Sequence, residues 1–317
     1  MTAYEQLLQR LAAGHVALLD GPTGTELQRR GAPMDPGAWC GPATLGNDRL
    51  LIDIHRDYIE AGAEVVTANT FASSRLMLGA AGMADKSEEI VTRAVAAARD
   101  ARNASGRDVV VAGSLSHMVP VARGTAVVDP AQLPSEAEMS DAFHALAQQL
   151  RDAGCELIIL EMMYHPQRVP LALAAAQATG LPVWFGASAR PGRGGGVLAF
   201  HSYSDIPFDE IAALIPDEGI DATGIMHTGA ETVAEALAII RRRFKGPLMA
   251  YPDSGYFEMP DWRFVDTIAP DRFASYCTDW IAAGAQIIGG CCGLGVEHIR
   301  AAARVRDGMA TSGARSR

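Results

Sequence analysis

Short apolar runs alternate with amphipathic stretches along the whole chain. Eight of these runs predict strands: Val16–Asp20, Glu64–Asn69, Val109–Gly113, Leu157–Glu161, Pro182–Ala187, Ala222–Met226, Pro247–Tyr251 and Gln286–Gly289. Seven are rich in β-branched or other apolar residues, as strands buried on both faces require. Ala222–Met226 is the weakest. Between the runs, apolar residues recur at helical spacing. The predicted helices are Asp48–Ala61, Ser87–Ala104, Glu136–Ala153, Arg168–Thr179, Phe208–Ile215, Ala230–Arg243, Asp271–Ala283 and Val296–Arg306. Asn47 or Asp48 stands where it can cap the first of them. The pairs Ala61-Gly62, Ala153-Gly154 and Ala283-Gly284 fall just before strands, where helix C-caps belong.

Regular βα alternation predicts a parallel sheet, and eight units in about 300 residues predict a (β/α)₈ TIM barrel. Residues 1–308 are read as one barrel domain and 309–317 as a flexible polar tail. An open doubly wound sheet is the alternative. Against it, the first strand runs into Gly21-Pro-Thr-Gly24, which lacks the glycine fingerprint of a dinucleotide site. Two connections stand out as long, Arg29–Gly46 and Met118–Ser135, and long βα loops on a barrel build the site or its lid.

Composition narrows the field. The 317 residues are 49% hydrophobic and 20% charged, a globular profile. A net charge of −10 with no basic stripe argues against nucleic acid as a partner. No stretch is apolar enough to span a membrane, and Met1–Leu11 lacks the apolar core of a signal peptide. Five cysteines are an odd number, two of them adjacent, which fits reduced thiols and a cytoplasmic location better than a disulfide framework. Homo-oligomerisation is left open.

The chemistry collects after the strands, at Asp20, Asn69-Thr70, Ser114, Glu161, Ser188, His227-Thr228, Asp253-Ser254 and Cys291-Cys292. A barrel brings these ends to one mouth. Cys291 and Cys292 follow an apolar strand and sit among glycines. Neighbouring cysteines cannot easily bond to each other, whereas two soft ligands suit a thiophilic metal. His227 is the natural third ligand, and a Cys₂His set with an open position matches catalytic zinc. The plainer readings are buried apolar cysteines and a satisfied polar histidine. Glu161 closes an apolar strand, where a carboxylate is costly unless it is paired or meets a ligand. It is read as an ammonium anchor or as a rim ion pair. Asp20-Gly21 is a capping turn or part of a ligand cradle. Trp39 and Phe71 offer π faces to a cation or simply pack the loops.

From Val16 to Ala302 the chain resembles the zinc-dependent homocysteine S-methyltransferases. Leu19-Asp-Gly-Pro-Thr-Gly-Thr-Glu-Leu27, Ala61-Gly-Ala63 with Thr67-Ala-Asn-Thr-Phe71, Val111-Ala-Gly-Ser114 and Tyr251-Pro-Asp-Ser-Gly255 carry the likeness. Gly289-Gly-Cys-Cys-Gly293 is the most specific motif. The resemblance implies Zn²⁺ on His227, Cys291 and Cys292, taking the sulfur of homocysteine, and an onium methyl donor. It implies roles for Glu161 and Asp20 in the reaction. It places Gly21, Thr25, Asn69 and Ser114 around the amino acid, and Trp39 and Phe71 against the donor cation. Two positions depart from the family pattern. Gly224-Ile-Met-His227 stands where relatives read Gly-Ile-Asn-Cys, and Ser114-Leu-Ser-His117 replaces a Gly-Ser-Val-Gly-Pro run. A divergent thiol-binding or other thiol methyl-transfer protein without homocysteine methyltransferase activity is therefore the second reading. A zinc hydrolase is the third. Betaine, S-methylmethionine, S-adenosylmethionine and a methylated corrinoid all stay open as donors.

Overall fold

The structure is a computed structural model that describes residues 1–122, 127–128, 130–200, 204–258 and 263–314. Among these, eight parallel strands form the central sheet: β1 (Ala17–Leu18), β2 (Val65–Ala68), β3 (Val110–Ser116), β4 (Leu157–Met163), β5 (Val183–Ala187), β6 (Ala222–Gly229), β7 (Leu248–Asp253) and β8 (Ala285–Ile288). Each pairs in parallel with its sequence neighbour, and β1 pairs with β8. A parallel bridge from Leu19 to Val65 joins β1 to β2 and closes the barrel. Helices between the strands cover the outer face, so the expected (β/α)₈ architecture is present.

The strand with the weakest sequence signal, β6, is the longest. Its small residues serve packing. A Cβ on Gly224 would lie 2.0 Å from the Met249 carbonyl oxygen, so only glycine lets β6 and β7 pair there. Two helix ends also follow expectation. Gly62 and Gly154 adopt left-handed conformations and donate back into their helices. Asn47 differs: its side chain donates to the Ala43 carbonyl rather than capping Asp48–Ala61. The last helix runs Val296–Ala314, past the expected end at Arg306. Residues 315–317 of the expected tail lie outside the described residues.

An unexpected helix, Ala3–Ala12, plugs the floor of the barrel. Thr2 and Glu5 form a capping box at its start. Tyr4, Leu7 and Leu11 join the barrel-interior cluster with Leu157, Trp184 and Ile287. The Tyr4 hydroxyl donates to Asp221 Oδ2 at 2.7 Å and accepts from Trp184 Nε1 at 3.0 Å, so both buried polar tips are paired. Among the described residues, no helix is long and apolar enough to cross a membrane.

His55, on the helix Asp48–Ala61, is fully buried and neither ring nitrogen has a hydrogen-bond partner. Burial lowers its pKa to about 4. The folded value lies below the unfolded one near 6.5. The stability tied to the neutral ring is therefore complete above pH 6.5 and is lost as pH falls toward 4. We expect this one group to cost about 2.5 kcal/mol of stability at pH 4.5 relative to pH 7. Urea unfolding of His55→Leu at both pH values checks it. An unchanged pH slope in the variant would contradict the assignment.

Candidate metal centre and substrate cavities

A turn and a bulge supply the three candidate ligands. After β8, the chain turns through Gly289-Gly290 into Cys291-Cys292, and backbone bonds fix the turn. Gly289 N–H donates to Ala250, Gly290 N–H to Asp20, and Cys291 N–H to Pro252, while the Cys292 carbonyl accepts from Ser254 N–H. Gly293 follows with φ +80°, and a Cβ there would meet the Ser254 oxygen at 2.0 Å, so glycine is required. Arg29 Nη1 and Nη2 donate to the carbonyls of Leu294 and Gly293 at 2.8 and 2.6 Å, clamping the far side of the turn.

His227 comes from within β6. The register with β7 shifts between Met226 and Gly229, and His227 has φ +46°. This bulge turns one side chain out of the strand alternation. The left-handed backbone costs a β-branched or bulky residue more than it costs histidine. A matching irregularity in β4 falls between Leu160 and Met163, with Met162 at φ +63°.

The ligand atoms of His227, Cys291 and Cys292 lie within 4.8 Å of one another. The sulfurs are 3.8 Å apart, and Cys291 Sγ is 3.5 Å from His227 Nδ1. Tetrahedral zinc, with Zn–S about 2.3 Å and Zn–N about 2.0–2.1 Å, sets edges of about 3.8 Å between sulfurs and about 3.5 Å from sulfur to nitrogen. The donor set therefore fits zinc, and these two edges match its spacing. Cys292 and burial push the Cys291 thiol well above its usual range. Burial alone would lower His227, but the Cys291 contact and the charges of Cys291, Asp253 and Glu161 raise it to about 9. Asp253 Oδ2 lies 3.9 Å from His227 Nδ1, beyond hydrogen-bond reach.

Glu161 lies beside this trio. Its Oε2 accepts from Ser114 Oγ at 2.5 Å, and Oε1 is 4.0 Å from Cys291 Sγ. Burial raises its pKa, and the Ser114 bond and the nearby His227 partly offset the rise. No basic side chain lies within ion-pairing distance of it among the described residues, which does not support the rim ion pair.

Two cavities meet at the centre. The larger, about 530 Å³, is lined mainly by apolar groups from the loops, including Met118, Tyr164, Phe200, Phe257 and Phe264. The smaller, about 40 Å³, is lined by the Gly21–Gly24 turn, Thr67–Thr70, Ser114 and Tyr251. Trp39, Phe71, Glu161, Cys291 and Cys292 line both. Trp39 and Phe71 meet edge to face, with ring centroids 5.8 Å apart.

The other expected site residues divide. Gly21, Asn69 and Ser114 line the smaller cavity, and Asn69 Nδ2 donates to the Cys40 carbonyl and to Thr44 Oγ1. Asp20 and Thr25 line neither cavity among the described residues. Asp20 accepts from Thr67 N–H at 2.6 Å and from Thr67 Oγ1 at 3.1 Å, tying β1 to β2. Thr25 Oγ1 accepts from Gly293 N–H at 3.4 Å, which joins the opening turn to the cysteine turn. Both residues position the site rather than face it.

The two loops singled out from the sequence do reach the larger cavity, through Gly37 and Trp39 and through Val121, Val128 and Leu133. Part of the second, 123–126 and 129, lies outside the described residues. Two further loops were not anticipated. The connection after β5 carries a hairpin, Ala189–Pro191 with Val197–Ala199, and then Phe200. The connection after β7 carries another, Tyr256–Glu258 with Arg263–Val265, which brings Phe257 and Phe264 to the cavity. Tyr-Phe-Glu and Arg-Phe-Val are the sequence traces of the second hairpin.

The family model described as homocysteine S-methyltransferase matches residues 17–306. Among curated proteins, the chain is 27% identical to homocysteine S-methyltransferase 4 of Zea mays, over 92% of this chain and 90% of that one. It is 25% identical to the selenocysteine methyltransferase of Astragalus bisulcatus, over 91% of each. Among solved structures, the metallated form of the homocysteine methyltransferase MmuM from Escherichia coli superposes with a TM-score of 0.71 at 24% identity, over 96% of this chain and all of that one. That likeness bears on the fold. A cysteine pair and a histidine whose ligand atoms lie within 4.8 Å of one another, at the mouth of a parallel barrel matched almost end to end by the family model, place this chain in the homocysteine S-methyltransferase family.

Proposed function

We propose that the protein moves a methyl group from an onium donor to the sulfur of homocysteine, forming methionine, with Zn²⁺ held by His227, Cys291 and Cys292. The observation that carries this reading is the junction. Two cavities of very different size share the cysteine pair, Glu161 and two aromatic rings, so an acceptor and a donor can meet there. When bound, zinc supplies a Lewis acid that makes a thiolate available at neutral pH, where a free thiol near pKa 8.5 is mostly protonated.

The chain's own residues do the rest. The smaller cavity takes the amino-acid end of homocysteine. Glu161 is fixed by Ser114 and bonds the ammonium. The Gly21–Gly24 turn leads into the helix Thr23–Arg29, whose first-turn N–H groups lack intrahelical acceptors and bond the carboxylate. Trp39 and Phe71 face the donor cation. The apolar lining excludes water from the reacting atoms. In the step, the new S–CH₃ bond forms as the donor's bond to that methyl breaks. The donor leaves with the electron pair as a neutral amine or thioether, and the thiol proton goes to solvent. Zinc-loaded protein given homocysteine and a panel of deuteromethyl onium donors tests the reading. Labelled methionine is the expected product. Zinc and homocysteine binding without label transfer from any donor would instead favour a thiol-binding protein.

His227 has its own consequence. A cysteine there would add one negative charge to the ligand set; neutral imidazole does not. His227→Cys should keep one zinc per chain and raise turnover by roughly tenfold, because a more electron-rich centre makes the acceptor sulfur a better nucleophile. It should also lose about 1 kcal/mol of stability, because cysteine tolerates the left-handed backbone less well than histidine. Turnover and thermal unfolding of zinc-loaded samples check both. An unchanged or lower rate with zinc retained would contradict the charge argument.

A further inference from the structure

A metal-bound histidine is normally oriented through its second nitrogen, which donates to a carboxylate, a backbone carbonyl or water. His227 turns Nδ1 toward Cys291 Sγ, and among the described residues its Nε2 has no hydrogen-bond partner. The χ2 torsion of histidine is broad, and a half-turn about it puts a carbon where Nδ1 stands. A cysteine, which the family pattern has at this position, has no ring to orient. Some other contact must hold the plane of the imidazole.

That contact is aromatic. Phe200 meets the His227 ring edge to face, with centroids 5.0 Å apart and planes at 72°. Phe200 also meets Tyr164 at 5.8 Å and 68°, and Tyr164 meets His117 at 4.6 Å and 76°. His117 is itself fixed, because its Nε2 accepts from the N–H groups of Tyr164 and His165 at 3.0 and 3.1 Å. One row of rings thus joins His117 to His227, the ends of the two segments that depart from the family pattern.

The backbone of Phe200 is tied to the same bulge. Its N–H donates to the Ser188 carbonyl at 3.1 Å, and Ser188 Oγ donates to the carbonyl of Met226 at 2.7 Å, next to His227. Thr228 Oγ1 donates to that carbonyl at 2.9 Å and accepts from Ala189 N–H at 2.9 Å. Ser188 and Thr228 are fully buried. The chain just after β5 therefore sets both the backbone that flanks His227 and the ring that packs on it.

We propose that Phe200 is a positioning residue for His227: braced through Tyr164 on His117, it holds the imidazole in the plane that aims Nδ1 at the metal. Cys291 selects the nitrogen; Phe200 limits the ring to that plane. The proposal rests on the His-Cys-Cys reading of the metal centre and not on methyl transfer.

Zinc affinity by chelator competition, and the visible spectrum of the Co²⁺-loaded full chain, test this. Phe200→Ala should weaken zinc binding about tenfold, the usual worth of an orienting partner, and should shift the ligand-field bands of bound Co²⁺. Phe200→Tyr keeps the ring and should bind zinc within about twofold of wild type. The decisive background is His227→Cys, which has no imidazole to orient. There Phe200→Ala should change zinc affinity by less than about twofold. Melting of the metal-free proteins reports on folding separately. The same loss in the His227→Cys background would overturn the proposal. So would an unchanged affinity and spectrum in Phe200→Ala, or a Phe200→Tyr variant as weak as Phe200→Ala. Wild-type protein that takes up neither ion sinks the metal reading and the proposal together, whereas each variant result just named sinks the proposal alone.

Discussion

Cys291→Ser and Cys292→Ser should each leave a folded barrel with no tightly held zinc and with methyl transfer reduced on the order of a thousandfold. Serine replaces each thiol at nearly equal volume, and both positions are buried in a turn held by backbone bonds, so the melting temperature should barely move. The metal is another matter. Three ligands are the least that a catalytic zinc site uses, and a neutral hydroxyl is a poor substitute for a thiolate. Without the ion, about one thirtieth of a free thiol is ionised at neutral pH. Losing a fixed position for the sulfur costs roughly another hundredfold. The two factors multiply to the predicted loss. Metal content by mass spectrometry and kcat/KM with saturating donor provide the check. A serine variant that kept stoichiometric zinc and wild-type turnover would remove the site from the mechanism.

The second large effect is expected at Glu161. Glutamine preserves shape and can still accept from Ser114, but it carries no charge. If Glu161 bonds the ammonium of homocysteine, Glu161→Gln should lower kcat/KM about a hundredfold, the worth of a buried charge-assisted bond, while zinc stays bound. The control is the acceptor itself. With 4-mercaptobutanoate, which has the thiol and carboxylate but no ammonium, wild type and variant should perform alike. Equal losses with both acceptors would show that Glu161 acts on the centre rather than on the amino group. That outcome is a real alternative, because Oε1 is 4.0 Å from Cys291 Sγ.

Much of this was legible in the chain itself. The βα alternation announced the barrel because each buried strand must be apolar on both faces. The glycine-flanked cysteines announced the centre because few other pressures place two thiols side by side at a strand end. His227 was found by topology: strand ends converge whatever the sequence distance. What stayed hidden has physical reasons too. The floor helix Ala3–Ala12 looks polar because only one narrow stripe, Tyr4, Leu7 and Leu11, faces inward. Asp20 read as a participant because it ends a strand at the mouth, and in the fold its carboxylate accepts two hydrogen bonds from Thr67. The two unanticipated hairpins are short pairings whose partners are fixed by the loop path and not by periodicity.

The floor helix carries one more implication. With that end closed by the helix, the ion, the thiol and the methyl source of the proposed reaction would all enter from the opposite mouth. The small chamber has no exposed residue in its walls, whereas the large one reaches the outside through Val127 and Leu133. A bulky guest in the vestibule would bar the room behind it. Kinetics should therefore be ordered, with the mercaptan first in and its methylated form last out.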